Sequence, residues 1–159
     1  MDLKLEGYLK NHKIEYKIHI HPPFFTVIES NKIEKNIPGM HCKTLFMKDD
    51  KGNFYLIGMN ADKRLNTKIL REHLGIRKLH FASPSELNKE LKIEPGSVSI
   101  FNLVNSTNKN IRLIIDEEVW QAKIVGFHPN INTETLEIKH KDLERYYNSL
   151  SLKKEILKI

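Results

Sequence analysis

Two apolar runs of strand length, Thr44–Lys48 and Phe54–Met59, are separated by a short polar connection, Asp49–Asn53. The Asp, Gly and Asn residues of this connection favour a tight reversal, so the pattern predicts a β-hairpin. The chain has 159 residues, which is the size of one compact domain with a single buried core. We therefore expect one domain over residues 1–159 that contains this hairpin.

Apolar periodicity and capping residues predict further helices and strands around the hairpin. The predicted helices are one ending near Asn11, a short one from Glu29 to Lys35 that Thr26 would cap, Asn66 to Leu74 ending at Gly75, one beginning at Ser83-Pro84, and Asp142 to Leu150. The predicted strands are Tyr16–Ile20, Leu79–Phe81, Ile111–Ile115, Lys123–Phe127 and Leu136–Ile138. The tail after Ser151 is predicted to extend the last helix or to fray. The expected fold class is mixed α/β (α+β), with a largely antiparallel central sheet and flanking helices.

The composition is that of an ordinary folded protein, with 40% hydrophobic and 29% charged residues. The sequence contains no apolar run of the length that a membrane helix needs. Its first six residues lack the basic region and apolar stretch of a secretory signal. We therefore expect a cytoplasmic protein with no membrane partner. The net charge of +6 suits a polyanionic partner, but no basic arm or stripe is expected.

The residue types that usually carry metal or nucleophile chemistry are sparse in this sequence. A single cysteine, Cys42, excludes an intramolecular disulfide and a thiol cluster, and is either a nucleophile or an inert core thiol. The eight histidines lack His-Glu-x-x-His spacing, so we expect no metal. Surface or structural roles are expected for His21, His41, His73, His80 and His140. Ser97 has one glycine beside it and lacks the Gly-x-Ser-x-Gly elbow of a serine hydrolase.

Three short segments carry the most specific signal, and they are Cys42–Lys48, Pro95–Phe101 and Phe127–Thr133. In this order they resemble the YbaK-type aminoacyl-tRNA editing family, most closely its free-standing prolyl-tRNA editing branch. The segment His21–Glu29 is also similar to a family region, with Ile28 in place of an acidic residue. The resemblance extends from about His21 to Tyr147.

The resemblance implies that Lys43 is the active-site residue, although a lysine that begins an apolar strand normally points to solvent. Its charge would orient the substrate and favour the developing anion. The residues implied in substrate binding are Phe25, Thr26, Thr44, Gly96, Ser97, His128, Asn130 and Asn132. Thr44 stands where relatives usually carry asparagine. For His128 a second interpretation is a strand-end histidine bonded to the backbone. The resemblance assigns no protein general base, and Asp116 and Glu117 are expected to be turn acids.

The implied function is hydrolysis of wrongly charged tRNA(Pro), with Ala-tRNA(Pro) as the expected substrate and Cys-tRNA(Pro) as the alternative. A noncatalytic tRNA-binding module of the same fold and a small-molecule esterase are the competing classes. Because a synthetase core does not fit beside the domain in 159 residues, the protein is expected to act in trans. Mischarged tRNA(Pro) and prolyl-tRNA synthetase are the expected partners, and no cofactor is implied.

Overall fold

The β-hairpin forms where the sequence predicts it, and a buried carboxylate closes its turn. The computed structural model describes residues 1–23 and 27–159, leaving aside the side chains at positions 27, 30, 31 and 34. Asp49 Oδ1 accepts hydrogen bonds from the backbone N–H groups of Lys51 and Asn53, both at 2.9 Å. Its Oδ2 accepts from Asn53 Nδ2 and from the hydroxyl of Tyr55 at 2.8 Å. One side chain thus fixes both the turn and the first residues of the returning strand.

Helices and strands are interspersed along the chain, and some strands follow one another directly. The helices are α1 (Leu3–Asn11), α2 (Val27–Glu34), α3 (Thr67–Leu74), α4 (Pro84–Leu91), α5 (Glu117–Gln121) and α6 (His140–Ser149), with a 3₁₀-helix at Ile100–Val104. The strands are β1 (Lys17–Ile20), β2 (Met40–Asp49), β3 (Phe54–Asn60), β4 (Leu79–Phe81), β5 (Arg112–Asp116), β6 (Ile124–Phe127), β7 (Glu134–Lys139) and β8 (Lys154–Leu157). Local chemistry sets several boundaries, since Asn66 caps α3, Gly75 ends it in a left-handed conformation and Ser83 with Glu86 forms a capping box on α4.

The strands form a mixed sheet in the order β1-β7-β6-β2-β3-β5-β8, and β4 pairs with β2 outside this sequence. The pairs β1–β7, β6–β7, β2–β3 and β2–β4 are antiparallel, whereas β2–β6, β3–β5 and β5–β8 are parallel. This arrangement confirms the predicted α+β class with its largely antiparallel sheet. The hairpin strands β2 and β3 lie at its centre.

The β2–β3 hairpin buries a separate apolar cluster on each of its faces. On one face Phe46 and Leu56 belong to a large core with side chains from α1, α4, the 3₁₀-helix and α6. On the other face Met47, Tyr55 and Ile57 belong to a smaller cluster that Leu70, Ile114 and Ile159 complete. Strand residues alternate between faces, so neighbouring positions of β2 serve different clusters. We call these the large-core face and the small-core face.

Two predictions about chain segments were wrong. The tail after Ser151 neither extends α6 nor frays, because Leu150 adopts an extended conformation and β8 then pairs in parallel with β5. That pairing satisfies an otherwise open sheet edge and brings Ile159 into the small core. Strand β2 starts at Met40 rather than Thr44, because Met40 and His41 pair with β6. The predicted cap of α2, Thr26, lies outside the described residues.

The buried Asp49 carboxylate generates a stability prediction. Burial raises the pKa of Asp49, but hydrogen bonds from Asn53, Tyr55 and Lys51 outweigh burial and hold the pKa below its usual value. We expect Asp49→Ala to destabilise the protein by about 3 kcal/mol, since it removes a charged acceptor and leaves the buried Tyr55 hydroxyl without this hydrogen-bond acceptor. Thermal unfolding at pH 7 measures this change.

The matched control for this prediction is Asp50→Ala, in the same turn and exposed to solvent, which is expected to shift stability by less than about 0.5 kcal/mol. The stabilisation from a lowered pKa is present above the unfolded value of 3.8 and is lost as the pH falls through the folded value. The difference between wild type and Asp49→Ala should therefore shrink below pH 4. Equal effects of the two substitutions would contradict this account.

Candidate active site

The candidate site is centred on a stretch of β2 that has a strand on only one of its edges in the part of the chain that the structure describes. Along its length β2 pairs with β3, from Cys42 opposite Asn60 to Lys48 opposite Phe54. On the other edge β6 pairs only with Met40 and His41, and β4 only from Met47 onward. We call Lys43–Leu45, in the middle of the stretch between His41 and Met47, the β2 opening.

Backbone groups of Thr44 point into the β2 opening. The carbonyl of Phe46 accepts a hydrogen bond from the N–H of Ala82 at 3.0 Å, on the β4 side. In antiparallel pairing alternate residues direct both backbone groups to the same edge. Thr44, two residues before Phe46, therefore directs its N–H and C=O toward the opening. Its side-chain hydroxyl is buried and has no hydrogen-bond partner among the described residues.

Lys43 lies on the small-core face, beside a cavity of about 370 Å³. The cavity is lined by Lys43, Leu45 and Met47 of β2, by Asp62, Lys63, Arg64 and Leu65 of the loop after β3, by Thr67 of α3 and by Phe81 of β4. Burial lowers the pKa of the Lys43 ammonium, and the nearby Asp62 carboxylate partly opposes this effect. The site thus holds a partly desolvated cation at the wall of an open cavity.

An ion pair between the half-buried Lys63 and the buried Asp116 anchors the loop that lines this cavity. Lys63 Nζ lies 2.8 Å from Asp116 Oδ2 and 3.8 Å from a carboxylate oxygen of Glu118. Asp116 is fully buried at the end of β5, so the prediction that it is a turn acid was wrong. It is buried because alternation along β5 turns it toward the small-core face, where the lysine meets it. Glu117 begins α5.

His128 lies with two other histidines on the same face of the sheet as Lys43. The ring centroids of His21 and His128 are 6.2 Å apart, and His21 Nε2 is 2.9 Å from Thr135 Oγ1. A Cβ at Gly126 would lie 3.0 Å from Thr135 Cγ2 and 3.7 Å from His41 Nδ1. This pairing places His41 on the shared face, and Lys43 is two residues further along β2.

The backbone bond expected in the second interpretation of His128 is present. His128 Nδ1 donates to the carbonyl of Glu134 at 2.9 Å, and this bond fixes the ring at the end of β6. The ring nevertheless remains partly exposed next to His21. This backbone bond uses Nδ1 and does not prevent the ring from facing a substrate. The role of His128 in the amino-acid pocket therefore stays a prediction.

Thr44 faces the opposite side of the sheet from Lys43. It pairs with Gly58, and a Cβ at Gly58 would lie 3.0 Å from Ile100 Cγ2 on the large-core face. The lack of a side chain at Gly58 lets the 3₁₀-helix approach β3 closely. Lys43 and Thr44 therefore contribute to the opening from different faces, as strand alternation requires.

The polar loops predicted to bind substrate are joined in one hydrogen-bond network near the start of the 3₁₀-helix. Asn102 Nδ2 donates to Asn130 Oδ1 at 2.8 Å and to the carbonyl of Ser97 at 3.4 Å. Asn130 Nδ2 donates to Asp2 Oδ2 at 2.8 Å. The amide of Asn130 thus ties its loop to the N-terminus. Asn102, fully buried, is a residue that the sequence analysis missed.

The residues predicted to form the site fall into two groups, one at this network and one on the small-core face. Gly96 has φ of 92°, a left-handed conformation that favours glycine, and a Cβ there would lie 3.8 Å from Asn132 Nδ2. The structure thus brings Gly96, Ser97, Asn130 and Asn132 together, and places Lys43 with His128 on the small-core face. The loop from His128 to Asn132 connects the two groups. Phe25 and Thr26 lie outside the described residues.

Other chemistries find little support in the described part of the chain. Cys42 is buried in the large core, and its thiol donates to the carbonyl of Met40 at 3.6 Å. No group of three or more His, Cys, Asp or Glu side chains there is arranged to hold a metal ion. None of the described helices combines the length and apolar character needed to cross a bilayer.

Comparison with known proteins decides which family this site belongs to. Residues 21–146 match the family model of the aminoacyl-tRNA editing domain. The chain belongs to this family. The match includes Lys43, the β2 opening and the loop from His128 to Asn132, whereas Asp2, which bonds Asn130, lies before it.

Individual relatives of this editing domain carry related descriptions. The chain is 34% identical over 134 residues to the prolyl-tRNA editing protein ProX of Acetoanaerobium sticklandii, covering 84% of this chain and 82% of that protein. It is 30% identical over 145 residues to prolyl-tRNA synthetase associated domain-containing protein 1 of Danio rerio, covering 90% and 79%. A solved structure described as a proposed trans-editing enzyme for prolyl-tRNA synthetase superposes with a TM-score of 0.74 at 18% identity, covering 100% and 99% of the two chains. That likeness confirms the fold.

The partial burial of Lys43 generates a second stability prediction. A lowered lysine pKa means that folding is penalised while the amine is charged, at pH values below the folded pKa, and that the penalty disappears above the unfolded value of 10.5. We expect Lys43→Met to be as stable as wild type or more stable at pH 7. The advantage should fade as the pH rises toward 10.5, as measured by denaturant unfolding.

Lys48→Met is the control for this prediction, because it makes the same change in the same strand. Lys48 Nζ lies 2.7 Å from Glu86 Oε2, an ion pair that lowers the pKa of Glu86 to about 2 together with the Ser83 backbone bond. The control is expected to lose about 1 kcal/mol. A larger loss for Lys43→Met than for Lys48→Met would show that Lys43 is a structural residue.

Proposed function

We propose that this protein hydrolyses the ester bond of wrongly charged tRNA(Pro) in trans, with Ala-tRNA(Pro) as the substrate. The observation that carries the proposal is the partly desolvated Lys43 beside an open cavity. Lys43 lies in the β2 opening, where neither β6 nor β4 pairs with the edge of β2 that faces away from β3. The chain belongs to an aminoacyl-tRNA editing family, and its relatives are described as prolyl-tRNA editing and prolyl-tRNA synthetase associated proteins.

The chemistry requires little machinery because an aminoacyl-tRNA is already an activated ester. Water adds to the carbonyl carbon, the bond to the ribose oxygen breaks, and the proton that water loses passes to that ribose oxygen. Negative charge develops on the carbonyl oxygen before this bond breaks. The Lys43 ammonium stabilises that charge most effectively where solvent is partly excluded. The N–H of Thr44, directed into the same opening, is a second donor for this oxygen.

The remaining predicted residues hold the substrate in this proposal. Gly96 and Ser97 offer backbone N–H groups, and the left-handed conformation of Gly96 lets a ligand approach closely. His128, fixed through its Nδ1, lines the side where the amino-acid group lies. Asn130 positions the loop that carries His128, since its amide oxygen accepts a hydrogen bond from Asn102 and its amide nitrogen donates one to Asp2. The amine of Lys43 is thus the group proposed to act on the ester itself.

Alanine and proline differ by few atoms, so selectivity depends on how tightly the amino-acid group is enclosed. Each methylene contributes about 1–3 kcal/mol to discrimination. We propose that the bulk of proline keeps the correctly charged ester out of reach of Lys43. Cys-tRNA(Pro) is the competing substrate, because cysteine differs from alanine only by its thiol.

A noncatalytic tRNA-binding module is the second candidate function. The observation that favours it is the Thr44 hydroxyl, buried without a partner among the described residues at the position where the asparagine of relatives would extend further. In this case the protein binds charged tRNA or prolyl-tRNA synthetase without releasing the amino acid. Release of the amino acid from the charged tRNA separates the two functions.

Release of alanine from Ala-tRNA(Pro) tests the proposal, with Pro-tRNA(Pro) and Cys-tRNA(Pro) assayed beside it. We expect turnover of the alanyl ester and protection of the prolyl ester. Lys43→Ala is expected to lower the single-turnover rate by roughly 100- to 1,000-fold, the effect of removing one donor to a developing oxyanion.

Lys48→Ala is the matched control for the activity assay, because it removes a lysine of the same strand that faces the other side and bonds Glu86. It is expected to keep the wild-type rate within about threefold. Turnover of Cys-tRNA(Pro) alone would replace the substrate, whereas turnover that survives Lys43→Ala would remove Lys43 from the chemistry. Binding of tRNA without any turnover would establish the noncatalytic module.

A further inference from the structure

Positive charge is concentrated in one segment of the chain, contrary to the expectation that no basic stripe exists. Residues 62–81, which we call the basic segment, contain six Lys or Arg residues and only two acids, Asp62 and Glu72. The basic segment therefore carries +4 of the net charge of +6. It comprises the loop after β3, helix α3 and strand β4.

Four cations of the basic segment are available to a partner. Two others are occupied, since Lys63 pairs with Asp116 and the guanidinium of Arg71 donates to backbone carbonyls within the segment. The available ones are Arg64, Lys68, Arg77 and Lys78. All four are exposed, and within the described residues none of them forms an ion pair or a side-chain hydrogen bond.

The basic segment borders the candidate active site directly. Arg64, Thr67 and Phe81 line the same cavity as Lys43. Phe81 pairs with Met47, so its ring lies on the small-core face, and 65% of its surface is exposed. Met47 is four positions from Lys43 along β2, which corresponds to roughly 13 Å. A large exposed aromatic ring therefore lines the same cavity as Lys43 and Arg64.

We propose that the basic segment is the docking surface for the acceptor end of the tRNA. Phe81 stacks on a base of the single-stranded 3′ end, and Lys68, Arg77 and Lys78 contact backbone phosphates. An aromatic ring next to cations is the combination that binds single-stranded nucleic acid without reading its sequence. This inference rests on the proposed function and adds to it the path by which the substrate enters.

An RNA partner fits this surface better than an acidic protein does. Both would meet the unpaired cations, but a protein interface of useful size is expected to cover several neighbouring apolar groups. The basic segment exposes two large apolar side chains, Ile69 on α3 and Phe81 at the rim of the cavity, and the ring face of Phe81 suits a base. Lysines and an arginine spaced along a helix and a loop also match a phosphate backbone, which presents charge at regular intervals.

The test measures turnover of two esters by the wild-type protein and by the double variant Lys68→Glu/Lys78→Glu. One ester is Ala-tRNA(Pro), and the other is 2′(3′)-O-alanyl-adenosine, which lacks the acceptor stem. Neither lysine lines the cavity. We expect kcat/KM for the tRNA to fall at least tenfold and kcat/KM for alanyl-adenosine to stay unchanged. With two phosphate contacts removed, the slope of log affinity against log salt should decrease by about 1.4.

The matched control is Lys4→Glu/Lys89→Glu, which makes the same charge change on α1 and α4 at two exposed lysines. Both helices pack against the large core, whereas the apolar side chains of the basic segment, such as Leu70, pack in the small core. This variant should retain wild-type turnover of both esters. Phe81→Ala is expected to weaken binding of uncharged tRNA(Pro) on the order of tenfold, and Phe81→Trp to preserve it, because either ring stacks on a base.

The outcomes separate this inference from the proposed function. Wild-type turnover of Ala-tRNA(Pro) with no loss in Lys68→Glu/Lys78→Glu would overturn the docking surface and leave the function intact. Equal losses on both esters would also overturn it, since the lysines would then act on the active site. Weaker capture of prolyl-tRNA synthetase with unchanged turnover of free tRNA would assign the surface to a protein partner. Absence of wild-type turnover of both esters would reject the proposed function itself.

Discussion

The uninterrupted pairing of β2 with β3 is the constraint on which the site depends. Because β3 satisfies one edge of β2 from Cys42 to Lys48, the other edge can be shared between β6 and β4 without loss of the strand. The stretch between these two partners is the β2 opening. The buried Asp49 carboxylate fixes the turn of the hairpin and so maintains the register that turns Lys43 to one face and Thr44 to the other.

Charge around the opening is arranged at the expense of stability. Burial disfavours the charged form of Lys43, and an apolar side chain at this position would avoid that cost. The neighbouring Lys63 is neutralised by the buried Asp116, so it supports the loop. Of the available cations, Arg64 lines the same cavity as Lys43, and Lys68, Arg77 and Lys78 lie further out on the exposed surface of the basic segment. In this account one cation serves the reaction and the outer ones guide a polyanion toward it.

Local signals predicted most of the elements, and non-local pairing explains what they missed. The hairpin, the caps of α3 and α4 and the ending at Gly75 follow from residues a few positions apart. The tail after Ser151 gives no such signal, because β8 exists through its pairing with distant β5. Lys43 could be selected from its motif, and strand alternation alone separates it from Thr44. The β2 opening and the roles of Asp116 and Asn102 required knowledge of which strands and loops meet in space.

The central claim is that the substrate ester lies in the β2 opening, and NMR titration with a non-hydrolysable amide analogue of alanyl-adenosine tests it most directly. The account predicts that the largest chemical-shift changes occur at the backbone N–H of Thr44 and at the Lys43 side chain. Smaller changes are expected at Gly96, Ser97 and His128. Saturable binding whose shift changes leave Lys43 and Thr44 unaffected and cluster elsewhere would contradict the account.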